Sequence, residues 1–174
     1  MELEFKKRDF WLTIIASEMV AALSIPILQN LKIIKFLQEQ DIGIFIFLAF
    51  WALLVPAVAL AELKFFHLLA KRKNRPGFWQ LGKYGIIGTL NTVINAGIFN
   101  LLIFVTDTAV GIWVDIFWVI AFLITIINSF LWNKYWAFEE RQAERTAHEA
   151  VRFFVTSSVV AALNTLLVHL VVNV

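Results

Sequence analysis

Residues 42–63 read IGIFIFLAFWALLVPAVALAEL, a run of 22 residues in which Glu62 is the one charge. That length matches the ~20 apolar residues a helix needs to cross a bilayer. In hydrocarbon the backbone must satisfy its own hydrogen bonds, which leaves a helix or a closed barrel. Barrel strands are segments of ~10 residues that alternate in polarity. This run is about twice as long and does not alternate, so it is a membrane helix.

Four further apolar runs extend outward from it, at about 10–29, 81–106, 112–132 and 153–174. The polar connectors are 30–41, 64–80, 107–111 and 133–152. Together they predict an all-α fold, a polytopic membrane helix bundle of five transmembrane helices. The whole chain agrees: it is 60% hydrophobic and 16% charged, against roughly 45–50% and 25% in soluble domains. The absence of cysteine excludes disulfides and thiolate metal sites. A net charge of +2 argues against nucleic acid as a partner, whereas basic loops beside membrane helices suit anionic lipid.

The first run has a second reading. Lys6, Lys7 and Arg8 would form the basic region of a signal peptide. Glu18 interrupts the apolar stretch, however, and no small-x-small cleavage site follows it. The span is expected to be retained.

Orientation follows from the loop cations. Thirteen Lys and Arg fall in the N-terminal tail and in the second and fourth connectors with Lys83 and Arg152, and two (Lys32 and Lys35) on the other side. This predicts a multi-pass protein of the cytoplasmic membrane, with the N-terminus cytoplasmic and the C-terminus of this chain external. Trp11, Trp79, Trp132 and Trp136 lie at predicted inner ends and Trp113 at an outer end, as interfacial belts require.

Two polar constellations stand out. Gly85, Gly88, Asn91, Thr92 and Asn95 recur at three- and four-residue spacing, on one helix face. The face reads either as a helix–helix seam or as the lining of a polar path. The fourth span ends Asn128-Ser-Phe-Leu-Trp-Asn-Lys-Tyr-Trp-Ala-Phe138, with Ser129 and Asn133 on one face. Anchoring at the interface accounts for Lys134 and Trp136 but not for the amides. A faint parallel repeat at an offset of 69 sets Lys83 over Arg152, Tyr84 over Phe153, Gly88 over Ser157 and Asn95 over Asn164. Asn95 and Asn164 would then both lie ~18 Å into the membrane from their cations, at 1.5 Å per residue.

The stretches Lys83-Tyr-Gly-Ile-Ile-Gly-Thr-Leu-Asn-Thr, Asn128 to Phe138, and Arg152-Phe-Phe resemble the GtrA-like family over about residues 78–174. The resemblance implies a membrane unit tied to glycosylation of cell-surface polysaccharide and teichoic acid. Such a unit moves polyprenyl-phosphate-linked sugars across the membrane or assists the glycosyltransferases that use them. Residues 1–75 fall outside it, as an added two-helix module, and 76–174 form the GtrA-like unit. The family's fourth helix, which ends in a second Asn/aromatic motif, is not among the five spans. The chain is therefore expected to be a fragment, or to receive that helix from a partner.

No nucleophile elbow, phosphate-cradling glycine loop, zinc-ligand helix or acidic glycosyltransferase pair is present, so no enzyme, cofactor or metal is expected. His148 and His169 lack the spacing of metal ligands. The leading expectation is a translocase, or translocation subunit, for a polyprenyl-phosphate-linked sugar. Its phosphate would dock at the inner rim on Lys83, Lys134 and Arg152, beside Trp136. Its sugar would pass along Asn91, Asn95, Asn128, Asn133 and Asn164, whose amides replace lost water without bringing charge into hydrocarbon. A membrane glycosyltransferase and membrane lipid are further implied partners, and homo-oligomerisation stays open. One alternative is a scaffold that recruits a glycosyltransferase without transport. Another, an ion channel or proton-linked exporter centred on Glu18, has a single buried acid to work with. Otherwise Glu18 is expected to face protein or water and to make a buried hydrogen bond, with Glu62 and His67 snorkelling to the inner interface.

Overall fold

The computed structural model describes residues 4–39, 43–138 and 155–159. Helix α1 spans Lys7–Asn30, the short α2 Ile33–Glu39, α3 Ile44–Lys73, α4 Gly77–Thr106 and α5 Ile112–Trp132, which continues into a π-helical turn, Asn133–Ala137. Four of these, α1, α3, α4 and α5 with its π turn, are long and apolar enough to cross a membrane. Apart from the helical residues 155–159, the expected fifth span at 153–174 lies outside the described residues.

The termini of the helices follow local chemistry. Asp9, in the first turn of α1, accepts the Lys6 backbone N–H at 3.1 Å, which satisfies a donor that helix geometry would leave unpaired. Helix α3 runs ten residues past its predicted end at 63, because Phe65, Phe66, Leu68, Leu69 and Ala70 continue the apolar pattern while Lys64 stays exposed. It stops where Asn74 turns left-handed, at φ 50° and ψ 41°, directly before Arg75-Pro76. Lys71, Arg72 and Lys73 in its last turn complement the helix dipole. Asp107 ends α4 in the same left-handed way, and α5 begins after Gly111, at φ 71°. The 107–111 turn thus falls where the sequence placed it.

The bundle is apolar outside, and its apolar core, built around Leu63, Ile87, Leu90 and Trp136, also encloses several polar side chains. Phe45, Ile46, Leu53 and Val105 are between 72% and 83% exposed, which suits lipid and not water. Asp9, Thr13, Ser17, His67, Lys83, Asn133 and Lys134 are buried. Helix α4 is central and packs against α1, α3 and α5, while α1 also packs on α3. Residues up to 139 form one compact unit, so the two N-terminal membrane helices share a core with α4 and α5. Residues 140–174 form a second unit.

Small residues set the helix spacing. A side chain at Gly97 would meet the backbone oxygen of Leu23 at 2.6 Å, so α1 and α4 nearly touch there. Gly82 faces Phe66 and Gly85 faces the Glu62 carboxylate, both on α3. Gly88, expected to share that seam, has nothing within 4 Å among the described residues. Hydroxyls stay satisfied within α1: Thr13 donates to the Asp9 carbonyl at 2.8 Å and Ser17 to that of Thr13 at 2.7 Å. The Trp51 indole N–H crosses from α3 to the Ser24 hydroxyl on α1 at 2.9 Å.

Candidate functional site

The deepest polar cluster lies at the end of the bundle where α1 and α4 begin and where α3 and α5 finish. The Lys83 ammonium sits 2.9 Å from Asp9 Oδ1, and both side chains are 1% exposed. The Trp136 indole N–H donates to the same oxygen at 2.9 Å, and Lys83 also donates to the Trp136 carbonyl at 3.3 Å. The ammonium lies 4.9 Å from the centre of the Trp79 ring and 5.9 Å from that of Trp136, a cation–π arrangement on two sides. Phe5 and His67 close the outer layer, with ring centres 5.7 Å and 5.0 Å from Trp79.

The π turn places the other half of the cluster. Phe138 N–H reaches the Asn133 carbonyl at 2.9 Å, five residues back. Such turns recur at functional sites because they re-aim side chains within a helix. Here the extra residue lets Asn133, Lys134, Trp136 and Ala137 all be buried on one short segment. Lys134 lies over the Phe130 ring at 5.8 Å. The Asn133 side-chain N–H donates to the Ser129 hydroxyl at 3.3 Å, whereas its side-chain oxygen is buried with no hydrogen-bond partner among the described residues.

The sequence-derived residues therefore separate into groups. Lys83 and Trp136 meet directly. Asn133 and Lys134 share the π turn with Trp136. About 12 Å further along α4, at 1.5 Å per residue, Asn91 accepts the Asn128 amide N–H at 2.9 Å, which joins α4 to α5. Asn95 is half-buried and Thr92 exposed, on the stripe that carries Gly88. Arg152 and Asn164 lie outside the described residues.

Three expectations need correction. Lys83 is not on an open cationic rim; it is enclosed and ion-paired with Asp9. His67 does not snorkel but packs in the aromatic layer, 7% exposed. Glu18 is exposed on the face of α1 opposite Asp9, since nine residues turn a helix through about half a revolution. The sequence pattern does not mark Asp9, Phe5 or Trp79 as site residues. An acid directly after Lys6-Lys7-Arg8 and facing the first turn of a membrane helix was the available signal. A second feature, a groove of about 280 Å³ between α1, α3 and α4, is lined by Val20, Trp51, Val55, Glu62, Ile86 and Thr89.

An apolar exterior around buried charge and hydroxyl groups defines a multi-pass helical membrane protein. Residues 83–174, just over half the chain, match the family model of the GtrA/DPMS transmembrane domain. The chain belongs to that family, whose membrane domains serve glycosylation. No curated protein and no solved structure matches it. The match begins at Lys83, so Asp9 comes from the segment outside it.

Proposed function

We propose that the protein is a translocation subunit, a flippase, for polyprenyl-phosphate-linked sugars in the cytoplasmic membrane, with its N-terminus in the cytoplasm. It carries out no covalent step. The observation that supports this reading most is the convergence, at one end of the bundle, of donors from the family-matched segment: Lys83, Lys134 and the Trp136 indole. The loop cations support a cytoplasmic position for that end, where lipid-linked sugars would be loaded. A phosphate group needs charge-assisted donors of this kind. The half-buried amide of Asn95, further along α4, offers hydrogen bonds to a sugar without charge. In liposomes holding the purified chain and a fluorescent polyprenyl-phosphate sugar, label should cross the bilayer with the wild type and fail to cross with Lys134→Gln. Equal rates with and without protein would refute the reading.

A second reading is favoured by the stripe of Gly88 and Thr92 on α4, uncovered among the described residues, where another helix would fit. On this reading the chain holds a membrane glycosyltransferase in place and transports nothing. Gly88→Leu then abolishes partner pull-down and surface glycosylation together, while Lys134→Gln leaves both intact.

A further inference from the structure

Asp9 takes donors from three parts of the chain: the Lys83 ammonium and the Trp136 indole N–H on Oδ1, each at 2.9 Å, and the Lys6 backbone N–H on Oδ2 at 3.1 Å. This is the donor set an anionic oxygen requires. An anion site has been built, and a carboxylate from outside the family-matched segment fills it. We propose that Asp9 is an internal stand-in for the lipid phosphate, and that an anionic headgroup gains the site by exchanging with it. The proposal rests on the phosphate-lipid reading above.

The physical case turns on Lys83. Its ammonium is enclosed, and a buried cation stripped of its counter-anion is strongly unfavourable. A ligand therefore cannot reach it by Asp9 simply leaving. It must replace one anion with another, so that Lys83 is paired throughout. Neutral lipids have nothing to trade, which makes Asp9 a specificity-determining residue.

The first turn of α1 suits such an exchange. Asp9 follows the exposed Lys6 and Lys7 at the very start of the helix, so unwinding one turn carries its carboxylate to water while Thr13, Ser17 and Ser24 stay packed. Phe5 precedes the same turn and covers Trp79 and His67 at ring distances of 5.7 and 5.8 Å. Movement of that turn removes the plug and the aromatic cover together. The added N-terminal segment thereby acquires a role: it keeps the family's cation satisfied until an anionic lipid arrives.

The test uses the full chain in nanodiscs with two probes, a short-chain polyprenyl phosphate and the matching polyprenol. Asp9→Asn keeps the shape of the side chain but removes the competing charge. Expected is that the phosphate binds Asp9→Asn at least roughly tenfold more tightly than wild type, and raises its melting temperature by more, while polyprenol binding is the same in both. A folded Asp9→Asn that binds the phosphate no more tightly than wild type overturns the proposal. Should that variant fail to fold, Phe5→Cys in the otherwise cysteine-free chain supplies the second measurement. Its maleimide labelling should speed up with the polyprenyl phosphate and not with the polyprenol. Equal labelling under both conditions overturns the proposal as well. Binding and labelling are read without transport. Tight phosphate exchange without flipping would therefore refute the flippase reading alone, and flipping with no effect of Asp9 would refute the exchange alone.

Discussion

Asn128 of α5 donates its amide N–H to the Asn91 carbonyl of α4 at 2.9 Å, which uses one amide from each of the two most family-specific stretches to join neighbouring helices. The pair is structural first. In membranes such interhelical bonds average only about 0.6 kcal/mol in double-mutant cycles, because the separated helices find other partners. Asn91→Leu, Asn128→Leu and the double variant, compared by unfolding in detergent, should therefore give a coupling energy of about 0.5–1.5 kcal/mol. A coupling of zero would mean the two amides act separately.

What was legible in the sequence, and what was not, follows from the range of the interactions. Apolar runs and loop punctuation are local, so α1, α4, α5 and the 107–111 turn fall close to their predicted limits. The overrun of α3 to Lys73 was hidden by Lys64, whose long side chain reaches outward without ending the helix. The pairing of Asp9 with Lys83 and Trp136 spans 74 and 127 residues, and no periodicity encodes a contact of that separation. The same limit explains the misplaced seam. Spacing put Gly85 and Gly88 on one face correctly, but only the packing of α3 decides which of them is covered.

The Asp9–Lys83 pair predicts an asymmetric stability effect. Removing one partner strands a buried charge, at a cost of about 3–5 kcal/mol, whereas replacing both with apolar groups is much milder. Lys83→Met should therefore lower the melting temperature of the detergent-solubilised chain sharply. Asp9→Leu/Lys83→Met should recover most of the loss. A double variant less stable than either single one would contradict the pairing.

Helix spacing gives a second contrast. Gly97→Leu must push α1 away from α4, because the Leu23 backbone oxygen cannot yield as a side chain would. A loss of about 2 kcal/mol or more is expected, in line with overpacking at a close helix contact, and membrane levels of the protein should fall. Gly88→Leu meets nothing within 4 Å among the described residues and should accumulate like wild type. Similar protein levels for the two variants would put the α1–α4 contact in doubt.

The cation distribution makes a topological prediction. Reporters fused at Asn74, after the basic end of α3, should be active only in the cytoplasm, and those at Thr108, in the turn after α4, only outside. Between these points lies α4, whose 30 residues span about 45 Å at 1.5 Å each, enough to cross the bilayer with turns to spare. Cytoplasmic activity at both positions would remove α4 from the membrane.

The last prediction separates Asn95 from Asn91, one turn away on the same helix. Asn91 is engaged with Asn128, whereas Asn95 is half-buried with no hydrogen bond across a helix contact among the described residues. An amide in this position costs free energy in hydrocarbon unless something answers it. If its purpose were packing, leucine, of similar size and apolar, would serve as well or better. Asn95→Leu should thus leave melting temperature unchanged or slightly raised, while Asn91→Leu lowers it by the modest amount set by the lost bond. On the translocation reading the order reverses for transport. Asn95 lies about 18 Å beyond Lys83 at 1.5 Å per residue, near the depth where transporter sites lie. Asn95→Leu should therefore slow the crossing of a polyprenyl-phosphate sugar in liposomes by about tenfold, a barrier increase of roughly 1.4 kcal/mol from one missing hydrogen bond. Stable protein with full transport in Asn95→Leu would remove this residue from the path and leave the Lys83 cluster as its remaining support.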